Sequence, residues 1–394
     1  MRRTLAALLL LVSACSDTST SNQLTVASRN LYLGGDIFLP VQATDALGAA
    51  EATFEVWSSV QATNFPARAT VIANEIAAAN PDVIGLQEVS KWSTGAPVVC
   101  NPDGSGLQYV NNPQASDVKY DFLGLLQAAL VAKGLHYDVA RQTQSLDVEF
   151  CAVDPLGGQA PFDVRYSDRD VILVRAGLTT QNPAGGVYAT MVEFPIPGTG
   201  DPGVIVPDRR AWNVVEVQKN GQWYRIFETH LEVQEIPTTW PVPGYIIQLG
   251  QAGELVATQV NRLGALSPMP TIVLGDFNTQ AEQPYGSPLR ATYNFLTGKT
   301  PFPDFGYPPF APLVGTVSPL ADAWPVANPG NQGLTWGFSG DLLTGTPTQR
   351  IDLVLTWDSG PASMTTFGGT DFTSGTPPLH ASDHLGIAAT IEPR

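Results

Sequence analysis

Short apolar runs with the composition of β-strands recur along the whole chain. They are rich in valine, isoleucine, leucine and aromatic residues, and polar or glycine-containing segments separate them. We predict strands at residues 24–29, 83–87, 137–142, 170–175, 212–218, 223–229, 271–274, 350–356 and 385–391. The Asn220-Gly221 pair between two of these runs is typical of a two-residue hairpin turn, whose central positions need a positive φ.

Helical periodicity occupies other segments of the chain. We predict helices at residues 66–79, 120–133, 245–266 and 288–296. The Asn80-Pro81 pair ends the first of them, because a residue before proline avoids the helical conformation. The strands and helices neither alternate regularly nor segregate into an all-β chain. This mixture predicts an α+β fold in which sheets pack on each other with helices outside them.

The longest segments rich in glycine and proline are predicted to be surface loops. They lie at residues 93–116, 184–207 and 298–319, in a chain with 37 glycines and 33 prolines. None of these loops has enough apolar periodicity to form a core of its own. Hydrophobic residues make up 43% of the chain, which is enough for a sizeable core. We therefore expect one domain over residues 24–394.

The N-terminal segment has the pattern of a bacterial export signal. Arg2 and Arg3 precede an apolar run at residues 5–12, and Val-Ser-Ala-Cys at residues 12–15 resembles a lipoprotein cleavage box. The apolar run is too short to span a bilayer as a helix. We expect a signal peptide at residues 1–14 and a lipidated Cys15 with a tether at residues 15–23. The protein would then be exported and either anchored to a membrane or, with an ordinary signal peptide, secreted.

Two further cysteines, Cys100 and Cys151, lie in loop-like sequence. An exported protein meets an oxidising compartment, which favours a disulfide between them over two unpaired thiols. Such a bridge would stabilise the fold by about 4 kcal/mol in the chain-entropy description.

The formal net charge is −16, spread along the chain. A surface of this sign does not attract nucleic acid or anionic lipid by net charge. A local site that includes a cation still binds a phosphate. The charge therefore lowers the expectation of non-specific DNA binding without excluding a nuclease.

Polar residues stand repeatedly where the apolar strand runs end or begin. These residues are Asn30, Glu88, His230, Asp276, Asn278, Asp352, Asp383 and His384. The ends of strands in a rigid sheet gather side chains from distant parts of a sequence. Taken singly, each residue has an ordinary alternative as a turn residue or a surface carboxylate. Their agreement across separate segments favours one shared site, with two of the chain's four histidines in it.

The segments around these residues resemble, in order, the signature of the endonuclease/exonuclease/phosphatase superfamily. They are Ser-Arg-Asn-Leu at 28–31, Gln-Glu-Val at 87–89, Thr-His-Leu at 229–231, Gly-Asp-Phe-Asn at 275–278, Arg-Ile-Asp at 350–352 and Ser-Asp-His at 382–384. That superfamily includes pancreatic-type deoxyribonuclease, abasic-site endonucleases, neutral sphingomyelinases and inositol-polyphosphate phosphatases. The resemblance implies a four-layer α/β/β/α sandwich of two mainly antiparallel sheets flanked by helices. It also implies hydrolysis of phosphoric esters.

The resemblance, together with the chemistry of the side chains, predicts a metal site. Glu88, Asn30 and Asp383 are the predicted metal residues, and the metal is Mg²⁺, with Mn²⁺ or Ca²⁺ as alternatives. Hard oxygen ligands suit Mg²⁺, which takes few protein ligands and keeps several waters.

The predicted catalytic residues surround this metal site. His230 and His384 are the titratable groups near neutrality, with Asp352 expected to orient one of them. Asp276 is expected to position or deprotonate the attacking water, and Asn278 to donate to a phosphoryl oxygen. The general base itself stays open among these groups.

Arg169 is a further predicted catalytic residue. It lies in Ser-Asp-Arg-Asp at 167–170, where nucleases of this superfamily place a phosphate-binding arginine or tyrosine. A guanidinium suits phosphate because it presents paired donors. The alternative is a surface arginine paired with Asp168 or Asp170, with Tyr166 as a substitute for the phosphate role.

The substrate stays open between a nucleic acid and a phospholipid. A surface anchor suits a sphingomyelinase-type phospholipid phosphodiesterase, and the absence of a basic stripe weakens the nuclease hypothesis. A phosphomonoesterase and a non-catalytic binding protein on the same fold are further alternatives. We expect a monomer.

Overall fold

The computed structural model of the protein describes residues 21–98, 113–195, 205–236 and 242–394. The predicted signal peptide, Cys15 and most of the tether lie outside these residues, as does Cys100. Cys151 is buried at the end of a strand, and its pairing with Cys100 stays a prediction. Within the described ranges, every helix is too short or too polar to cross a membrane.

The described residues form eighteen strands, numbered here in chain order. They are β1 (Leu24–Asn30), β2 (Val83–Gln87), β3 (Lys91–Gly95), β4 (Asp117–Asp121), β5 (Tyr137–Ala152), β6 (Phe162–Arg175), β7 (Thr179–Val187), β8 (Val192–Pro195), β9 (Ile205–Asp208), β10 (Ala211–Lys219), β11 (Gln222–His230), β12 (Thr271–Asp276), β13 (Ala321–Asp322), β14 (Trp336–Phe338), β15 (Gly345–Gln349), β16 (Asp352–Trp357), β17 (Ser359–Phe367) and β18 (Gly386–Pro393).

The helices of the described residues flank these strands. They are α1 (Leu39–Gln42), α2 (Ala46–Ala62), α3 (Phe65–Ala79), α4 (Phe122–Ala132), α5 (Gly244–Glu254), α6 (Asn261–Leu266), α7 (Ala291–Leu296) and α8 (Trp324–Ala327). A π-helical segment, Leu255–Val260, joins α5 to α6, and 3₁₀ turns occupy Pro288–Arg290 and Pro308–Leu313.

Two large sheets form the centre of the described fold. The first has the order β17-β18-β1-β2-β6-β3-β4, with β5 also paired to β6, and the second has the order β13-β16-β12-β11-β10-β7. Only the β1–β2 and β11–β12 pairs among these ladders are parallel in the described residues. Both sheets are therefore mainly antiparallel, as the sequence predicts.

Three apolar layers hold the two sheets and the helices together. One core lies between the first sheet and helices α2, α3 and α4, and includes Ile72 and Leu126. A second lies between the sheets and includes Val26 and Ile226. A third lies between the second sheet and helices α5 and α7, and includes Leu255. The predicted four-layer α/β/β/α sandwich is confirmed.

Most predicted elements agree with the observed ones. The strand at 83–87 has the same bounds, and the helix at 66–79 begins one residue earlier, at Phe65. The turn at Asn220 and Gly221, with φ of 49° and 85°, joins β10 to β11 as expected. The helix predicted at 245–266 contains the π-helical segment, and the one at 288–296 begins as a 3₁₀ turn.

Other elements were missed in the sequence. Helix α2 was not predicted, although Asp45 caps it by accepting a hydrogen bond from the Gly48 N–H at 2.8 Å. The segment at 184–207, predicted as a loop, contains the end of β7, all of β8 and the start of β9. Strands of four residues such as β8 and β9 are too short for their alternation to be recognised locally.

The register of the strands places several chain segments at one edge of the sandwich. Asn30 at the end of β1 pairs with Gln87 at the end of β2. In the second sheet, His230 at the end of β11 pairs with Asp276 at the end of β12, and Asp276 pairs with Asp352 at the start of β16. Since parallel strands end at the same edge, their terminal side chains meet there.

Candidate active site

The predicted polar residues lie around one cavity at this edge. It holds about 1000 Å³ of space, part of it open to solvent. Six of the predicted residues line it, namely Glu88, His230, Asp276, Asn278, Asp383 and His384. Asn30 and Asp352 are buried behind them and touch them directly.

Asp276 occupies the centre of the group. Its Oδ2 lies 3.6 Å from Nε2 of His384 and 3.7 Å from Nε2 of His230. Asn30 donates a hydrogen bond from Nδ2 to the same oxygen at 3.1 Å. Burial raises the pKa of Asp276 to about 7, although nearby His384 lowers it. Asp276 is therefore a carboxylate whose protonation is balanced near neutrality.

His384 is held in one orientation by Asp352. The His384 Nδ1–H donates to Oδ2 of Asp352 at 2.9 Å, which leaves Nε2 directed toward Asp276. Burial lowers the pKa of His384, but the carboxylates of Asp352, Asp383 and Asp276 outweigh it and raise that pKa to about 10. His384 thus carries both ring protons at neutral pH.

The second histidine has the opposite electrostatic environment. Burial, and after it the positive charges of Arg210 and His384, hold the pKa of His230 well below its usual value. Asn278 donates from Nδ2 to the Leu231 carbonyl at 2.9 Å, and the same amide lies 3.2 Å from Nε2 of His230. His230 is therefore neutral at physiological pH, and its ring nitrogen accepts a hydrogen bond.

Glu88 and Asp383 both line the cavity. Asn30 donates to Oε1 of Glu88 at 2.9 Å, and the Leu33 N–H donates to Oε2 of Glu88 at 2.6 Å. Burial first, and then the charge of Asp383, raise the pKa of Glu88 to about 7. On the other side, Trp336 donates from Nε1 to Oδ2 of Asp383 at 3.2 Å.

These oxygens fit a hard divalent cation. Two carboxylates that repel each other in a buried cavity gain stability when a cation lies between them. The side chains of Asp276, Asp352 and His384 also offer ligand atoms within 4.8 Å of one another. In that second group, however, Asp352 and Nδ1 of His384 already bond to each other. Glu88 and Asp383 are therefore the better place for a metal.

Backbone strain supports the placement of the site residues. Glu88 has a φ of 54° and Asn278 has a φ of 51°, both in the left-handed region that side chains avoid. Such conformations cost on the order of 1 kcal/mol or more each and persist where the surrounding structure enforces them. Here the strain turns both side chains into the cavity.

Arg169 does not lie where the sequence analysis expected it. Its Nε donates to the Val89 carbonyl at 2.9 Å, and its Nη2 pairs with Asp121 at 2.7 Å. The side chain links β6 to the residues before α4, and it does not line the cavity. The phosphate-binding assignment for Arg169 is corrected accordingly, and the alternative pairing with Asp168 or Asp170 is not observed either. Tyr166 does line the cavity.

A different arginine, Arg210, lies beside His230. It lines the cavity, its Nη1 lies 3.4 Å from both ring nitrogens of His230, and its Nη2 donates to Glu232 at 2.9 Å. Arg210 was not predicted, because it belongs to none of the motifs that resemble the family signature. Since β10 runs antiparallel to β11, the start of β10 lies beside His230. The position of Arg210 just before the predicted strand at 212–218 is the feature of the sequence that could have identified it as a site residue.

Comparisons with known proteins identify the family and the fold of the chain. A model of the endonuclease/exonuclease/phosphatase family matches residues 52–384. A protein of that family from Bacteroides thetaiotaomicron has a similar structure, with a TM-score of 0.50 and 16% identity over 94% of this chain and 97% of that one. At this identity the likeness concerns the fold alone.

Two other solved structures are similar to a smaller degree. A mannosyl-6-phosphatase from Bacteroides thetaiotaomicron has a TM-score of 0.49 and 16% identity, over 94% of this chain and 99% of that one. Truncated TDP2 from Caenorhabditis elegans has a TM-score of 0.45 and 15% identity, over 94% and 97%. No curated protein matches the chain in sequence.

Proposed function

The chain belongs to the endonuclease/exonuclease/phosphatase family of phosphoester hydrolases, and from this membership we propose that it is a divalent-metal-dependent phosphodiesterase. The observation that carries the proposal is the position of Asp276. Its Oδ2 lies 3.6 Å from Nε2 of His384 and 3.7 Å from Nε2 of His230, and Asn30 connects it to the carboxylate of Glu88. Hydrolysis of a phosphodiester needs a group that orients a water and donors for the phosphoryl oxygens, and Asp276 and the side chains around it are groups of these two kinds.

Glu88 and Asp383 would hold the metal, with Asn30 fixing the orientation of Glu88. Mg²⁺ is the proposed ion, with Mn²⁺ or Ca²⁺ as alternatives, since the oxygens are hard ligands. A bound divalent ion neutralises charge that develops on the phosphoryl oxygens.

The remaining roles are proposed from the contacts of each side chain. Asp276 orients the attacking water and accepts its proton, because its Oδ2 lies 3.6 Å from Nε2 of His384 and 3.7 Å from Nε2 of His230. His384 donates from Nε2 to a phosphoryl oxygen while Asp352 holds its other nitrogen. The ester P–O bond opposite the attacking water breaks, and the leaving oxygen takes up the proton that Asp276 received. Asn278 and Arg210 donate to the remaining phosphoryl oxygens from the His230 side of the cavity.

A phospholipid is a second candidate for the substrate, beside a nucleic acid. Its support is an apolar pocket that adjoins the catalytic cavity. A protein binds nucleic acid mainly through basic side chains that contact the phosphate backbone. The net charge of −16 makes such binding weak here.

Removal of the metal should abolish hydrolysis, and replacement of its main ligand should raise the metal concentration that hydrolysis needs. The measurement is the rate of hydrolysis of DNA, RNA, sphingomyelin, phosphatidylcholine and bis-p-nitrophenyl phosphate with Mg²⁺ or Mn²⁺, before and after chelation of the metal. Glu88→Gln should raise the metal concentration needed for half-maximal rate by at least about tenfold, because a neutral amide replaces a charged ligand.

Glu55→Gln is the matched control, since Glu55 is exposed on α2. It should behave as the wild type does. Hydrolysis that survives exhaustive chelation would contradict metal dependence. The absence of hydrolysis of every substrate with either metal would contradict the phosphodiesterase proposal.

We further propose that residues 24–394 form the catalytic domain of an exported protein attached to a membrane through a lipidated Cys15. The export pattern at residues 2–15 supports this proposal. Cys15→Ala should move the protein from the membrane fraction to the soluble fraction. Ser19→Ala changes the tether equally little and should leave the protein with the membrane. Equal fractionation of the two variants would refute the lipid anchor.

A further inference from the structure

A buried carboxylate holds Arg210 at the edge of the catalytic cavity. Nη2 of Arg210 donates to Oε1 of Glu232 at 2.9 Å, and Nη1 of Arg210 lies 3.4 Å from both ring nitrogens of His230. Arg210 lines the cavity, whereas Glu232 is fully buried behind it. The guanidinium therefore contacts a histidine of the site and a carboxylate that is not part of the cavity wall.

Helix α5 fixes Glu232 in its place. The Glu232 N–H donates to Oε1 of Gln251 at 2.8 Å, and Nε2 of Gln248 donates to the Glu232 carbonyl at 2.8 Å. Both glutamines are fully buried, and their spacing of three residues puts them on the same face of α5. The Val233 N–H also donates to Oε1 of Glu232 at 2.9 Å. The main chain and the carboxylate of Glu232 therefore have little freedom to move.

A second carboxylate competes for the same guanidinium. Oδ2 of Asp208 lies 3.9 Å from Nη2 of Arg210, and Asp208 lines the cavity. Glu232 is nearer and forms a charge-assisted hydrogen bond, which favours its contact over the longer one. Without the carboxylate of Glu232, we expect the guanidinium to turn toward Asp208 and away from its present position beside His230.

Arg210 keeps a donor that a ligand can use. Its Nε is buried and has no hydrogen-bond partner in the part of the chain that the structure describes. A buried N–H without a partner costs free energy, so an acceptor that enters the cavity gains a bond the protein does not supply. Glu232 therefore occupies one nitrogen of the guanidinium and leaves another for a phosphoryl oxygen.

We propose that Glu232 is the positioning residue of Arg210 and sets the place where the guanidinium meets the phosphoryl group of the substrate. The inference rests on the proposed function, because it takes that phosphoryl group to lie in the catalytic cavity. Glu232 acts through Arg210 and not on the substrate. A donor helps a reaction only while its geometry fits the transition state, and a displacement of about 1 Å lowers the rate by up to about 100-fold.

Glu232→Asp tests position separately from charge. It keeps the carboxylate but draws it back by one methylene, so the buried charge of Arg210 stays balanced. We expect kcat/KM for bis-p-nitrophenyl phosphate to fall by about 10–100-fold while circular dichroism shows a folded protein. Glu232→Gln removes the charge and should lower kcat/KM at least as much. A Glu232→Asp enzyme with the wild-type kcat/KM would overturn the inference.

A double-mutant cycle tests whether Glu232 acts through Arg210. Arg210→Gln alone should lower kcat/KM, and its combination with Glu232→Gln should lower kcat/KM no further. Losses that multiply in the double variant would show that Glu232 acts independently of Arg210, which would also overturn the inference.

Glu216 provides the matched control. Its Oε1 accepts from Nη2 of Arg225 at 2.8 Å, and this second buried arginine–glutamate pair also joins β10 to β11. The pair lies five positions along the ladder from Ala211 and His230, or roughly 17 Å away. Glu216→Asp should keep the wild-type kcat/KM. Equal losses in Glu216→Asp and Glu232→Asp would show that disturbance of any buried ion pair lowers the rate, and the positioning role would fail.

Binding of inorganic phosphate separates this inference from the proposed function. In titration calorimetry of the metal-loaded protein, the Kd of inorganic phosphate should rise about tenfold in both Glu232→Asp and Arg210→Gln. This rise without hydrolysis of any phosphodiester would contradict the phosphodiesterase and leave the role of Glu232 intact. Hydrolysis whose kcat/KM, like the Kd of phosphate, is unchanged by Glu232→Asp would refute the positioning role and leave the phosphodiesterase intact.

Discussion

Replacement of His384 by alanine is expected to lower kcat by about 10²–10⁴-fold, with a smaller change in KM. The ring is 4% exposed, is bonded to Asp352 through Nδ1 and presents Nε2 to Asp276. Its loss removes a donor that acts on charge developing in the transition state. Interactions made mainly in that state affect kcat more than substrate binding.

The measurement is steady-state hydrolysis of bis-p-nitrophenyl phosphate with Mg²⁺ or Mn²⁺, together with circular dichroism to establish folding. His136→Ala is the matched control, because His136 is exposed between α4 and β5. It should keep the wild-type rate. A folded His384→Ala enzyme with a kcat within threefold of the wild type would contradict the role assigned to His384.

Replacement of Gly275 by alanine is expected to lower the free energy of unfolding by about 4 kcal/mol or more. Gly275 has a φ of 149°, and a Cβ there would lie 1.9 Å from the Thr229 carbonyl oxygen. That oxygen belongs to the neighbouring strand, since Thr229 pairs with Gly275 in the parallel β11–β12 ladder. The backbone has to separate to admit a methyl group, and a typical domain has only about 5–15 kcal/mol in total.

Urea denaturation followed by tryptophan fluorescence gives the free energy of unfolding. Gly134→Ala is the control, because Gly134 has a φ of 76° with no atom within 4 Å of an added Cβ. It isolates the cost of a left-handed alanine, about 1–2 kcal/mol. Equal destabilisation by the two substitutions would show that the contact with Thr229 relaxes and that Gly275 is needed for its φ alone.

The elements that the sequence predicted well are those with a strong local signal. The strand at 83–87 is buried throughout, and the helix that begins at Phe65 has apolar residues at regular helical spacing. Helix α2 was missed because the first half of its buried face consists of Ala49, Ala50 and Thr53, and its larger apolar residues, Val56, Trp57 and Val60, come only in the second half. Strands β8 and β9 were missed because pairing across the chain, and not composition, makes them strands.

The polar motifs identified candidate site residues, because a site needs specific chemical groups and the sequence shows where these groups are. Glu88, His230, Asp276 and His384 were named from their motifs, and they lie around one cavity. The protonation of the two histidines was not visible. His384 differs from His230 because one is surrounded by carboxylates and the other lies beside Arg210.

By itself, the sequence determined the α+β class, the family resemblance and the inventory of reactive groups, because these depend on residue type and local spacing. Only the tertiary structure decided that Arg210 faces the cavity and Arg169 does not. It also decided that Asp276 lies between the histidines and that an apolar pocket adjoins them. These features depend on which distant strands pair and in what register, and side-chain direction and electrostatic environment follow from that pairing.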